Sequence, residues 1–209
     1  MQSKNVVILD YGCGNVKSVY NAFRVLDYPV KISNRDSDIQ AASHLVLPGV
    51  GAFERCRKGL ADLGLLEILQ REVLEKGKPF LGICVGMQIL AKVGFEFGHH
   101  EGLGWIPGRV EKIDVSHSGL RLPHIGWNEV QIKTPDPLFR GIYDRTTFYF
   151  VHSYQFIAEN PAWVSSICQY GLQVTASIQK ENIFGVQFHP EKSQSAGIRL
   201  LKNFLEIKT

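Results

Sequence analysis

The sequence predicts an α/β fold in which a mostly parallel central sheet, flanked by helices, is continued by an antiparallel C-terminal extension. Three observations carry that expectation. Up to Gly94, short apolar runs alternate with segments of helical apolar spacing, the pattern of strand-helix-strand units. From Arg109 onward, short runs follow one another with turn signals at 107–108, 134–137 and 160–161, leaving little room for helices. Between the halves, the apolar run 79–82 enters Gly82-Ile83-Cys84-Val85-Gly86, a turn that sets its central side chain at the tip of a tight bend.

In chain order, residues 5–10 read as a buried first strand closed by Gly12 and Gly14. Val16, Val19, Tyr20, Phe23 and Leu26 then recur on one helical face. Residues 29–33 and 44–48 are the second and third strands, and 63–76 is an amphipathic helix that Gly77 ends. Strand 79–82 and the turn follow, with a short apolar-periodic helical stretch over 87–92. The second half reads as strands at 109–113, 128–132, 147–154, 164–169, 174–179 and 183–188. A last helix covers 195–207, with Ile198, Leu201, Phe204 and Leu205 as its apolar positions. No repeat, low-complexity segment or linker interrupts this order, so one domain spanning 1–209 is expected.

A formal charge of +3 with 21% charged residues describes an ordinary surface, without the clustered Lys/Arg run that nucleic acid requires. No stretch reaches the roughly 18 apolar residues of a membrane span and no signal pattern opens the sequence. A cytoplasmic protein is therefore expected, with neither membrane nor nucleic acid as partner. Cys13, Cys56, Cys84 and Cys168 are scattered without a Cys-x-x-Cys pair, and His99-His100 lacks a further ligand at helical spacing. Disulfides and metal are not expected.

Cys84 is the candidate nucleophile. At a strand-to-helix bend its thiol meets unpaired backbone N–H groups and the positive end of a helix dipole, which favour a thiolate. A lone cysteine at a turn is more commonly plain packing, and only a base changes that reading. Strand 183–188 ends in His189-Pro190-Glu191, where proline stops the ladder and sets imidazole and carboxylate in a defined relation. A cysteine, a histidine base and a carboxylate that holds the imidazole's tautomer make up a nucleophilic triad.

Gly82-Ile83-Cys84-Val85-Gly86-Met87-Gln88 together with His189-Pro190-Glu191 resembles the class I (triad) glutamine amidotransferases, and the resemblance spans essentially the whole chain. The triad shows no departure from the family pattern; Val85 stands where many relatives carry leucine. The resemblance implies a glutaminase without a cofactor. Cys84 would attack the side-chain amide carbon of glutamine, His189 would pass the proton to the leaving nitrogen, and Glu191 would orient the imidazole. It implies an oxyanion hole made by the backbone N–H groups of Val50 and Val85. It also implies that Gly51, Gln88, Glu96 and the backbone of His152, Ser153 and Tyr154 hold the α-amino and α-carboxylate ends of the substrate.

Turning the Gly49–Val50 peptide toward the oxyanion would strain Val50 if its φ became positive, so an incomplete resting hole is expected. The stretches 10–19, 103–108, 123–128 and 148–154 narrow the likeness to members that serve histidine biosynthesis. Their ammonia passes to a separate (βα)8-barrel cyclase subunit within a heterodimer. Asn15, Trp127 and Lys192 are then expected on the docking face. Two rival readings stay open: the glutaminase subunit of another amidotransferase, and a small-molecule cysteine hydrolase on a similar sheet.

Overall fold

Four strands buried along their whole length or nearly so form the frame of the site. The computed structural model describes residues 4–208. β1 (Val6–Leu9) is fully buried, and α1 (Val16–Arg24) returns the chain to β2 (Val30–Ser33), parallel to β1. Asn15 caps α1, its Oδ1 accepting from the Ser18 N–H at 3.2 Å. After α2 (Asp36–Ala41) the chain crosses β1 and forms β3 (His44–Gly49), buried throughout and again parallel. α3 (Phe53–Asp62) and α4 (Leu65–Gln70), prolonged by a π-helical turn over Arg71–Glu75, lead to β4 (Phe80–Cys84) beside β3. Strand order thus reverses at β1. Right-handed crossovers leaving in opposite directions set α1 on one face and α3 with α4 on the other. Accordingly α1 packs with the helix over Gln194–Leu205, while α2 and α3 both pack on α4.

α5 (Val85–Gln88) follows β4 and is a single turn. The remaining strands are β5 (Val93–Gly94), β6 (His100–Glu101), β7 (Gly108–Lys112), β8 (His124–Ile132) and β9 (Thr146–His152). They continue as β10 (Tyr154–Ala158), β11 (Val164–Tyr170), β12 (Leu172–Lys180) and β13 (Ile183–Val186), before α6 (Gln194–Leu205). The main sheet has nine strands in the order β2-β1-β3-β4-β13-β12-β11-β8-β9. Its first five are parallel, and from β13 to β9 each pair is antiparallel. A second sheet of four strands runs β10-β7-β5-β6.

The mixed α/β class and the central sheet agree with the sequence reading. Four details do not. α2 and α3 were not expected; α2 is only six residues long, and α3 buries Phe53, Cys56 and Leu60 on an otherwise charged helix. The helical stretch at 87–92 is one turn centred earlier, because Gly102 and Leu103 N–H groups take the carbonyls of Lys92 and Ile89. The second half is largely antiparallel, as expected, but it is divided between two sheets, since β7 and β10 pair in the smaller one. The run at 147–154 is accordingly two strands broken at Ser153, whose carbonyl is used by the Ile113 N–H at 3.0 Å. That break carries the chain from one sheet to the other.

Candidate active site

β4 delivers Cys84 into the bend with φ +56° and ψ −112°, a conformation that costs energy in any residue bearing a Cβ. The neighbouring glycines make the bend possible by steric absence. A Cβ on Gly82 would lie 2.5 Å from the Gly86 oxygen, one on Gly86 would overlap the Leu47 carbonyl, and one on Gly49 the Gly86 nitrogen. β3, β4 and the turn therefore meet backbone to backbone. The Val85 N–H, at the first position of a helical turn, has no intrahelical partner.

β13 pairs with β4 in register through Val186 and Ile83, so 187–189 leave the sheet beside Cys84. His189 is pinned by its main chain: its N–H donates to the Tyr149 carbonyl at 2.8 Å, and its own carbonyl accepts from Ser193 Oγ at 2.7 Å. The 3-10 turn Pro190–Lys192 then folds Glu191 back, and Glu191 Oε1 lies 2.7 Å from His189 Nδ1. The two side chains are 2% and 1% exposed. With the carboxylate accepting from Nδ1, Nε2 is the free nitrogen, buried and without a hydrogen-bond partner. Burial acts to lower the His189 pKa. Hydrogen-bonding capacity and charge from Cys84 and Glu191 outweigh it and carry the value up to about 10.

Cys84 and His189 open on one cavity of about 620 Å³. Its walls include Val50, Gly51, Gln88 and Glu96, and the stretch His152–Tyr154. The structure thus brings the three triad candidates and all the proposed substrate-pocket residues together. Glu96 is held by the Phe53 N–H, which donates to its Oε2 at 2.7 Å. Phe97 and Lys112 also line the cavity, and sequence reasoning missed both; nothing in their local pattern marks them.

The segment 48–51 is tethered on each side of the Gly49–Val50 peptide. Tyr11 Oη donates to the Pro48 carbonyl at 2.7 Å, and Cys56 Sγ to the Val50 carbonyl at 3.8 Å. Burial, with Cys13 close by, raises the Cys56 pKa and keeps it a donor. Val50 is 43% exposed and is not among the residues of positive φ.

A polar network lies behind the cavity. Gln88 Nε2 donates to the Tyr154 carbonyl at 3.0 Å and to Gln187 Oε1 at 2.9 Å, and Gln187 Nε2 is 3.7 Å from Cys84 Sγ. The His152 side chain is a satisfied core group, its Nδ1 2.8 Å from the Tyr154 carbonyl and its Nε2 3.0 Å from His124 Nδ1. Asn128 Nδ2 is 3.2 Å from His124 Nε2, and the His124 ring is stacked between Phe150 and Tyr170. Because a carbonyl only accepts, His152 carries its proton on Nδ1 and every bond back to Asn128 is oriented.

Burial chiefly depresses the pKa values of His44 and His124 to about 4 and of His152 to about 3. All three fold as neutral rings. Between pH 6.5 and 5 the unfolded chain takes up protons that the folded chain refuses, so stability falls as pH falls, by up to about 1.4 kcal/mol per pH unit for each ring. His189, with its raised value, acts in the opposite sense: its contribution is complete below the unfolded histidine value and is lost as pH rises from about 6.5 toward about 10, so it offsets the loss only slightly, near the top of that window. Urea unfolding at pH 6.5 and pH 5 should show the loss, and equal stabilities would contradict the neutral assignment.

The three docking candidates differ in setting. Trp127, 48% exposed on β8, meets Tyr149 of β9 edge-on at 6.0 Å, and Lys192 Nζ stands 5.5 Å over the Tyr149 ring. They form one aromatic and cationic surface. Asn15 is exposed, and α1, which it caps, packs on the Pro190–Lys192 turn.

A strained cysteine at a strand end and a buried histidine-carboxylate pair border one cavity, an arrangement suited to nucleophilic acyl chemistry. A family model described as "Glutamine amidotransferase class-I" matches residues 7–207, and the chain belongs to that family. Within it the chain is similar to proteins described as "Imidazole glycerol phosphate synthase subunit HisH". The one from Syntrophotalea carbinolica is 44% identical over 203 residues, covering 95% of this chain and 98% of its own. The one from Rhodospirillum rubrum is 46% identical over 208 residues, covering 96% and 97%. Among solved structures, "Structure of PurLQS from Thermotoga maritima" shares the fold at a TM-score of 0.76 with 16% identity, covering 98% of each chain.

Proposed function

We propose that this glutamine amidotransferase is the glutaminase subunit of an imidazole glycerol phosphate synthase, working in the cytoplasm as a heterodimer with a (βα)8-barrel cyclase subunit. The observation that carries the reading is the buried His189–Glu191 pair, 2.7 Å apart, opening on the same cavity as the strained Cys84. Glu191 holds the Nδ1 proton and stabilises the imidazolium, so His189 Nε2 takes the thiol proton before attack, and the Cys84 thiolate then adds to the glutamine amide carbon. The tetrahedral oxyanion is received by the Val85 N–H and, once turned, by the Val50 N–H; such a donor is worth about 10²–10³ in rate. His189 gives its proton to the nitrogen and ammonia departs. Water, deprotonated by His189, then hydrolyses the thioester to glutamate. Glu96 and the Gln88 carbonyl oxygen meet the substrate's α-ammonium, and the backbone at Gly51 and 152–154 meets its carboxylate.

Ammonia must reach its acceptor unprotonated and away from bulk water. The Trp127–Tyr149–Lys192 surface and the Asn15 loop supply a docking face for the cyclase. There the nitrogen joins a phosphorylated ribulosyl intermediate to give imidazole glycerol phosphate and an aminoimidazole carboxamide ribotide, in histidine biosynthesis. The tethers on Pro48 and Val50 confine rotation to the single Gly49–Val50 peptide, and the β-branched Val50 resists it.

The test is glutamate release from glutamine by the purified chain, alone and with the cyclase subunit and its ribulosyl ligand. Release is expected in the complex and little from the chain alone. Val50→Gly should raise the activity of the chain alone by about 5- to 150-fold, the equivalent of ~1–3 kcal/mol of relieved strain. Absence of release in the complex would leave the cysteine hydrolase reading. An unchanged or lower activity in Val50→Gly would remove the strain account while leaving the glutaminase intact.

A further inference from the structure

We propose that Gln187 is a further catalytic residue, whose side-chain N–H donates to the Cys84 sulfur and stabilises it whenever it is anionic; the inference rests on Cys84 being the nucleophile. Gln187 is fully buried, two residues before His189, and does not line the cavity that receives the substrate. Its Nε2 lies 3.7 Å from Cys84 Sγ, within the range of a hydrogen bond to sulfur. An amide near a thiol is informative only if its orientation is known, and here it is. The Tyr154 carbonyl can only accept, so Gln88 must present its NH2 group there, at 3.0 Å. That same NH2 group is 2.9 Å from the other amide, which must therefore offer oxygen, Gln187 Oε1. Gln187 is left with its N–H groups turned to the sulfur. His152 holds the Tyr154 carbonyl from its other side at 2.8 Å, so the orienting acceptor is itself fixed.

The donor acts at two moments of the cycle. Before attack, it stabilises the thiolate formed as His189 takes the thiol proton. In thioester hydrolysis the water oxygen adds to the carbonyl carbon, its proton goes to His189, and the carbon–sulfur bond breaks with the electron pair returning to sulfur. The leaving thiolate then meets the same N–H. A neutral, fully buried donor on the side of the sulfur away from the cavity adds anion stabilisation without competing for the substrate.

Two variants and two rates separate this role from packing. Gln187→Met keeps shape without a donor; Gln187→Glu keeps shape and the acceptor for Gln88 but turns an oxygen to the sulfur. Cys84 alkylation by iodoacetamide at pH 7, followed on the Cys84 peptide by mass spectrometry, reads the thiolate without glutamine chemistry. Glutamate release in the cyclase complex reads turnover. With thermal melting unchanged, Gln187→Met should lose about tenfold in both rates, and Gln187→Glu more, with KM for glutamine held within about threefold. Alkylation within twofold of wild type in both variants would overturn the proposal, as would loss of turnover alone. If Gln187→Met fails to fold, Gln187→Glu decides by the same criteria. Failure of the glutaminase reading appears separately, as no glutamate release by the unsubstituted complex, and leaves the alkylation comparison valid.

Discussion

Replacing Cys84 with alanine is expected to abolish glutamate release by the cyclase complex, by about 10⁴-fold or more, in a protein that still folds. No second thiol can take its place. Cys56 points at the Val50 carbonyl with Cys13 close to it, and Cys168 is buried in β11 with burial raising its pKa to about 12. Alanine keeps the Cβ, so the backbone strain at φ +56° is unchanged and stability should move little. Only the sulfur and its contacts are lost. Glutamate release above about one-hundredth of the wild-type rate, by a variant verified as free of wild-type protein, would take the nucleophile's role away from Cys84.

Gly86→Ala is expected to be the most destabilising single methyl in the region of the site. The added Cβ would overlap the Leu47 carbonyl, and neither atom belongs to a side chain that can rotate away. β3 and the elbow must separate, at a cost of about 3 kcal/mol or more, which in a chain of this size lowers Tm by about 6–12 °C. Gly77→Ala serves as the comparison: its φ is +69° but no atom lies within 4 Å of the new Cβ, so about 1 kcal/mol of backbone strain is the whole cost. Calorimetry on the two variants checks the difference. Equal melting temperatures would mean that the backbone contact is looser than the structure shows.

The parts of this fold legible in the sequence are those whose signal is local. β1, β3 and β4 are covered on both faces and so read as unbroken apolar runs. His189 and Glu191 read as a pair because proline between them leaves a short, defined path. The break at Ser153 carries no turn signal, and its trace lies in the burial phase: Phe148, Phe150 and His152 are buried in alternation, and the phase then slips to Gln155 and Phe156. A strand pair joined by one residue looks like a single strand until the phase is counted. In sequence, Gln187 reads as one polar residue in a strand. Its partner is Cys84, 103 positions away, and no spacing within the strand can report that. The ring contact between His124 and His152 is hidden for the same reason, since only antiparallel pairing of β8 with β9 sets the two opposite each other.

The place of β13 in the main sheet bears on how the protein is made. It is the final strand in chain order, yet it lies between β4 and β12 rather than at an edge. A chain emerging from the ribosome can close β1 to β4 early, with Cys84 already at its bend. Gln187, His189 and Glu191 come only with or after the strand that must be inserted next to β4. Until then the sulfur has neither base nor donor. On the proposed triad, the chemistry is therefore gained in one late event, when the sheet is completed from within, and a half-made chain would carry a bare cysteine with no means of splitting glutamine.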